Sequence, residues 1–177
     1  MDVHAYSYVG PDEIREAAAS QPAGTPISSR DEAAAWLRAH PDALAEGATY
    51  VVDLDGRLLL APRRSEHVAC ASGGEVLAAG EIRFRRTADA IDVVAVSNLS
   101  SGYCPDTSCW PAVERAIRLA GLPPPGSLSS EIIWRRCTSC QEKSLVKENW
   151  FVCVFCDAEL PAGRNAGTRR SFVLATE

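Results

Sequence analysis

The chain has 177 residues, 46% of them hydrophobic, and a formal net charge of −5. That length supports one substantial core and a small satellite, and that charge excludes a general affinity for polyanions. No apolar run reaches the roughly 18 residues a membrane-spanning helix needs, so no membrane partner is expected.

The opening residues Met1-Asp2-Val3-His4-Ala5-Tyr6 carry neither the basic start nor the apolar core of a secretion signal, so a cytoplasmic location is expected. Val3 to Val9 reads as a strand. Pro11-Asp12-Glu13 then opens a helix, with proline in its first turn and acids near its positive end. Ile14, Ala17 and Ala18 are assigned to its inner face. Ser29-Arg30-Asp31-Glu32 matches a capping box and begins a second helix that buries Ala33, Trp36 and Leu37 and stops before Pro41.

The period then changes. Thr49–Asp53 and Arg57–Ala61 read as strands joined through Asp55-Gly56, a strong hairpin signal. Glu81–Arg86 alternates, with Ile82 and Phe84 on one face. Ile91–Ser97 is apolar on both faces and is expected to be a central strand. Trp110-Pro111 starts a third helix, whose stripe is Val113, Ala116, Ile117 and Ala120 and whose end is Gly121. Pro123-Pro124-Pro125-Gly126 is a stiff linker. The expected domains are an α+β domain over 1–126, a zinc ribbon over 127–161 and a polar, basic tail over 162–177, with a short docked strand at Phe172-Val173-Leu174.

Four of the seven cysteines form two Cys-x-x-Cys pairs, Cys137/Cys140 and Cys153/Cys156, with twelve residues between the pairs. In a reducing compartment such pairs favour metal over disulfide. Each can turn tightly and aim two thiolates at one tetrahedral ion. Leu145-Val146-Lys147 and Trp150-Phe151-Val152 flank Glu148-Asn149 and are expected to form a hairpin between the knuckles. Four thiolates leave no open coordination position, so the expected Zn is structural. Redox chemistry would need a βαβ context that is missing. Residues 131–177 hold seven basic and six acidic residues, a thin footprint for nucleic acid, although Arg135, Arg136, Lys143 and Lys147 lie near the knuckles.

Residues 49–121 carry a second pattern. His67, Gly73-Gly74, Ala78-Ala79-Gly80, Ser101-Gly102-Tyr103 and Pro105 follow one another in an order that resembles a module of the plant calmodulin-binding proteins with an IQ motif. Similar segments occur in bacterial proteins, and the chain resembles a bacterial zinc-ribbon protein carrying such a module. The histidine of the Ser-Gly-His-Tyr segment is absent here, since Tyr103 directly follows Gly102. No basic amphipathic IQ helix is present, so calmodulin is not an expected partner. The resemblance implies a shared domain and supplies no reaction.

His67, Glu81, Ser97, Asn98, Ser101 and Tyr103 are the candidate ligand-binding residues, because they fall at strand ends and turns. Residues 97–104 include three Ser, one Asn, one Gly, one Tyr and one Cys, which suits hydrogen bonding to a polar ligand. A His, a Tyr and a Glu on neighbouring strands can polarise a leaving group. The bland alternative is a solvated Glu81, an anchoring Tyr103 hydroxyl and a simple Ser101-Gly102 turn. Cys104 beside His67 is a candidate nucleophile. His67, Cys70, Cys104 and Cys109 are a candidate second metal set, set against their being small buried hydrophobes.

The expected fold is therefore α+β, a mixed or antiparallel sheet with three short helices and a C-terminal zinc ribbon. The expected function is that of a cytoplasmic zinc-binding accessory protein that binds a protein partner or small polar ligand. One alternative is a small group-transfer enzyme using His67, Glu81 and Tyr103. Another is nucleic-acid binding through the ribbon.

Overall fold

The computed structural model of the chain describes residues 2–167 and 169–174. Met1, Thr168 and residues 175–177, the last within the segment read as a tail, lie outside the described residues. In chain order the elements are β1 (Asp2–Tyr6), α1 (Asp12–Ala19), β2 (Thr25–Ile27), α2 (Arg30–Ala39), α3 (Ala43–Glu46), β3 (Ala48–Val52) and β4 (Leu58–Pro62). Then come α4 (His67–Cys70), β5 (Ala78–Arg86), β6 (Ile91–Val96), a 3-10 turn (Thr107–Cys109), α5 (Trp110–Leu119), β7 (Ile133–Arg136), β8 (Lys143–Val146) and β9 (Arg169–Val173). The fold is α+β with antiparallel sheets. Among the described residues it has five α-helices, where three were expected. The additional two are four-residue turns, too short to show an amphipathic period.

The main sheet has the order β2-β4-β3-β5-β6. β3 is its centre, and all five of its residues are buried. β6, expected to be central, lies at the edge, and Val94 is 42% exposed. Only its Val96 end is covered there, by the chain leading on to residues 129–130. The Ser129 N–H donates to the Val96 carbonyl at 2.8 Å, and Ser97 and Ser130 form a parallel bridge. The apolar run of β6 does not by itself say how many strands flank it, and Val94 leaves one of its faces partly open.

Local chemistry explains several elements. The Asp53 carboxylate accepts the Asp55 and Arg57 N–H groups at 3.0 and 2.9 Å, and Gly56 supplies φ of +79°, which closes the β3–β4 hairpin. Ser29 Oγ caps α2 by accepting the Glu32 N–H at 3.2 Å, and Ala33, Trp36 and Leu37 are buried as expected. In α1 only Ala18 is buried. Ile14 is 47% exposed and Ala17 is exposed too, so the assigned inner face was too wide. α5 buries Ala112, Val113, Ala116 and Ile117 and lies against β3, β4 and β5.

Most of the buried hydrophobic residues fall into two clusters. The larger fills the body built from residues 3–128 and also takes in Leu174. The smaller consists of Cys137, Val146, Cys153 and Leu160. The chain then returns to the body, and β9 pairs antiparallel with β1 from Asp2↔Val173 to Tyr6↔Arg169. Among the described residues no helix is long and apolar enough to cross a membrane.

Candidate metal centre

The four-cysteine unit, the segment expected to be a ribbon and called so below, is built on β7 and β8, which pair from Ile133↔Val146 to Arg136↔Lys143. β7 escaped the sequence reading. The hairpin expected around Glu148-Asn149 is reduced to a turn, with both residues at positive φ, and one bridge between Lys147 and Trp150.

At the end of β7 the chain makes the first knuckle. The Gln141 N–H donates to the Cys137 carbonyl at 3.0 Å and the Cys137 N–H to Glu142 at 2.9 Å, with Gln141 at φ +64°. The second knuckle repeats this pattern residue for residue. The Asp157 N–H donates to Cys153 at 3.0 Å and the Cys153 N–H to Ala158 at 2.8 Å, with Asp157 at φ +59°. In each, a backbone N–H two residues on points at the first sulfur, Ser139 to Cys137 Sγ at 3.4 Å and Phe155 to Cys153 Sγ at 3.5 Å. Buried Ser144 ties the halves together, since its Oγ accepts the Val154 N–H at 3.1 Å.

All four sulfurs lie within 4.8 Å of one another. Cys137 Sγ is 3.6 Å from Cys156 Sγ, and Cys140 Sγ is 3.7 Å from Cys153 Sγ. A disulfide would bring a pair to about 2.0 Å. A tetrahedron with metal–sulfur bonds of about 2.3 Å has edges of about 3.8 Å, which these separations approach. The four cysteines can therefore hold one metal ion. The electrostatics agree. The N–H groups of Cys140 and Ser139 pull the Cys137 thiol down to about 7. On Cys140 the Glu142 N–H acts in the same direction, but desolvation and the crowding of the other three thiols push it up to about 12. A dication at the centre removes that conflict.

The other candidate residues are placed differently. His67 opens α4, and its Nε2 is 3.0 Å from the Gly80 carbonyl. Burial lowers its pKa. Glu81 pairs with Arg63 at 2.5 Å. Ser97 Oγ accepts the N–H groups of Glu81 and Leu99, each at 3.3 Å, and its carbonyl accepts the Tyr50 hydroxyl at 2.9 Å. Asn98 is fully buried and joins the body to the ribbon. Its Nδ2 donates to the carbonyls of Pro105 and Ile132, both at 2.9 Å, and its Oδ1 accepts the Ile132 N–H at 2.7 Å. Tyr103 is fully buried, donates to the Gly74 carbonyl at 2.6 Å and packs edge-on against Tyr8. Ser101 is exposed, and its carbonyl accepts Lys143 Nζ at 2.7 Å.

Within this set the direct hydrogen bonds are those between Glu81 and Ser97. These two border a cavity of about 120 Å³ with Arg83, Ser129 and Ser130, and neither His67 nor Tyr103 lines it. His67, Cys70, Cys104 and Cys109 do not gather. Among the described residues the ribbon cysteines are the one group arranged to hold a metal. Burial raises the thiol pKa of Cys104, and raises those of Cys70 and Cys109 to about 12, the character of buried hydrophobes rather than nucleophiles.

Three residues of the ribbon face solvent against expectation for their type. Trp150 is 70% exposed, and Val154 and Phe155 are each 63% exposed. Their signal was present in the sequence. The two residues inside a Cys-x-x-Cys knuckle turn away from the metal, so an apolar Val-Phe pair there is held outward. No family model matches the chain, and no curated protein or solved structure matches it either.

Proposed function

We propose that the four cysteines hold one structural zinc ion, and that the chain works as a zinc-stapled binding protein whose ribbon presents an apolar face to a protein partner. The carrying observation is the exposure of Trp150, Val154 and Phe155 beside the four gathered cysteines. Four thiolates fill a tetrahedral shell, so the ion has no position for substrate water and serves to hold the knuckles. A reducing cytoplasm keeps those thiolates available. Large apolar side chains held outward by a rigid turn are a feature of protein-binding surfaces.

The basic residues support a protein over a nucleic acid. Arg135 donates to the carbonyls of Pro161 and Ala162 and lies 5.5 Å over Phe151. Arg136 donates to Gln141 and Lys143 to Ser101. Arg164 and Arg169 share Asp106, and Arg170 holds Glu75. The carboxylates thus offset Arg164, Arg169 and Arg170, while the carbonyl contacts fix Arg135, Arg136 and Lys143 in place without removing their charge, so the cations left for a phosphate backbone are few.

Elemental analysis should give one zinc per chain and none after Cys153→Ser. Unchanged zinc in that variant would sink the assignment. A photo-cross-linking amino acid at Phe155 in the full chain should then give one discrete protein adduct in the source cell, lost with Cys153→Ser. Nucleic-acid adducts, with affinity falling steeply with salt, would replace this reading with the nucleic-acid one.

A further inference from the structure

We infer that β9 is a displaceable strap seated in a peptide-binding edge, and that an extended partner segment with two adjacent basic residues followed by alternating apolar residues takes its place. The seat belongs to the body. β1 lies outside the five-stranded sheet, and besides β9 its ladder contact is the bridge to Val76, through bonds of 2.7 and 3.1 Å at Tyr6. Without β9 its outer edge is a row of open backbone donors and acceptors, the template on which strand addition works.

Two carboxylates flank that edge. Asp106 binds Arg169 at 2.5 Å, and Glu75 binds Arg170 at 2.7 Å. Neighbouring strand residues point to opposite faces, so the two acids grip the strap from its two sides. Neither acid owes its position to the strap. Asp106 Oδ1 accepts the Tyr6 hydroxyl at 2.9 Å and the Ser108 N–H at 3.0 Å, and Glu75 accepts the Ser7 hydroxyl at 2.9 Å. These donors come from β1, the residue just after it and the 3-10 turn, and Arg164, which precedes the strap, also pairs with Asp106 at 3.3 Å. The pair of acids thus stays oriented when β9 leaves, a preorganised fork for two consecutive cations.

The strap itself is weakly rooted. Arg169, Arg170, Ser171 and Val173 are exposed, Phe172 is half-buried, and Leu174 just beyond β9 is the one residue from 169 to 174 that is buried. Exposed ion pairs hold little against solvent, and a strand with few buried contacts opens at the low end of the local stability range. The strap also describes its own competitor. Arg170, Phe172 and Leu174 share one face, with the Arg170 guanidinium 5.3 Å over the Phe172 ring, and Arg169 serves the other. Charge complementarity therefore favours a basic-then-apolar segment over a second copy's acidic surface. This seat is distinct from the ribbon's aromatic face.

The test uses the full chain and a fluorescent peptide with the sequence of residues 167–177, read by anisotropy. The double variant Arg169→Glu, Arg170→Glu repels its own strap from Asp106 and Glu75. It should bind the peptide at least tenfold more tightly than the unaltered chain, because the competing strap no longer occupies the seat. A peptide with both arginines changed to glutamate should not bind, and added salt should weaken the true complex. Phe172→Ala, which keeps the charges and loosens the packing, should also increase peptide binding. A folded double variant that ignores the peptide overturns the inference. So does a concentration-dependent dimer of the unaltered chain that exchanges β9 between copies. If both variants unfold, β9 is an integral part of the body and the strap reading fails.

Discussion

The body and the ribbon of this chain hold themselves together by different means. The body buries a continuous set of aliphatic and aromatic side chains around β3, with Tyr50, Leu58, Leu60 and Ile82 almost completely removed from water. The ribbon has four buried residues in its cluster, and two of them, Cys137 and Cys153, are candidate metal ligands. Without the ion proposed for these cysteines, what remains is Val146 and Leu160, with half-buried Ile133, Phe151 and Ala158 against them. That is too little apolar surface to offset the entropy of ordering thirty-odd residues at roughly 1–2 kcal/mol each. The lesson is that size decides the means. A unit of about 120 residues can be stapled by hydrophobic burial, whereas one of about 30 needs a metal.

The sharpest way to break this contrast is to remove the ion. A chelator should unfold the ribbon and leave the body's thermal transition in place, since the binding free energy of a structural zinc, about 10–16 kcal/mol in small ribbons, is folding free energy there. Hydrogen exchange checks it. Amides of β7 and β8 should lose protection while those of β3 and β5 keep it. Equal loss in both regions would show that the two are one cooperative unit.

The seam between them is sharpened by Asn98→Ala. That change leaves the Ile132 N–H and the Pro105 and Ile132 carbonyls without their partner in a buried place. A cost of about 3 kcal/mol to the unfolding free energy is expected, larger than for a surface polar change. The proposed zinc content should be the same as in the unaltered chain, because the knuckles make their own hydrogen bonds. A neutral result would mean that the ribbon is not anchored through this amide.

The smallest effect concerns the body alone. Burial lowers the His67 pKa below its ordinary value near 6.5, with the Gly80 carbonyl opposing. The folded state thus favours neutral imidazole, and the unfolded chain takes up the proton first as pH falls. Stability from this group is present above pH ~6.5 and is lost as pH falls through the lowered folded-state value. His67→Gln, which keeps a donor for Gly80, should flatten the fall of the unfolding midpoint between about pH 7 and 5. An unchanged slope would place the titration elsewhere. Asp106 and Glu75, whose carboxyls are held below their usual range by hydrogen bonds and arginines, add their own loss at lower pH.

What the sequence determined by itself is local. The two Cys-x-x-Cys pairs, the Asp55-Gly56 turn, the Ser29 cap and the stripes of α2 and α5 each need only a few neighbouring residues, so spacing alone reveals them. The α+β class followed from the change of hydrophobic period. What the tertiary structure decided is pairing between distant residues. It put β6 at the edge, built the ribbon on β7 and β8, and brought β9 across the whole chain to β1. It also decided where polar groups find partners. Asn98 and Tyr103 read as ligand donors because they are hydrogen-bonding residues in a turn-rich loop. Their partners are carbonyls at Pro105, Ile132 and Gly74. A side chain's type states how many hydrogen bonds it can make, but only the folded chain states which of them are already made.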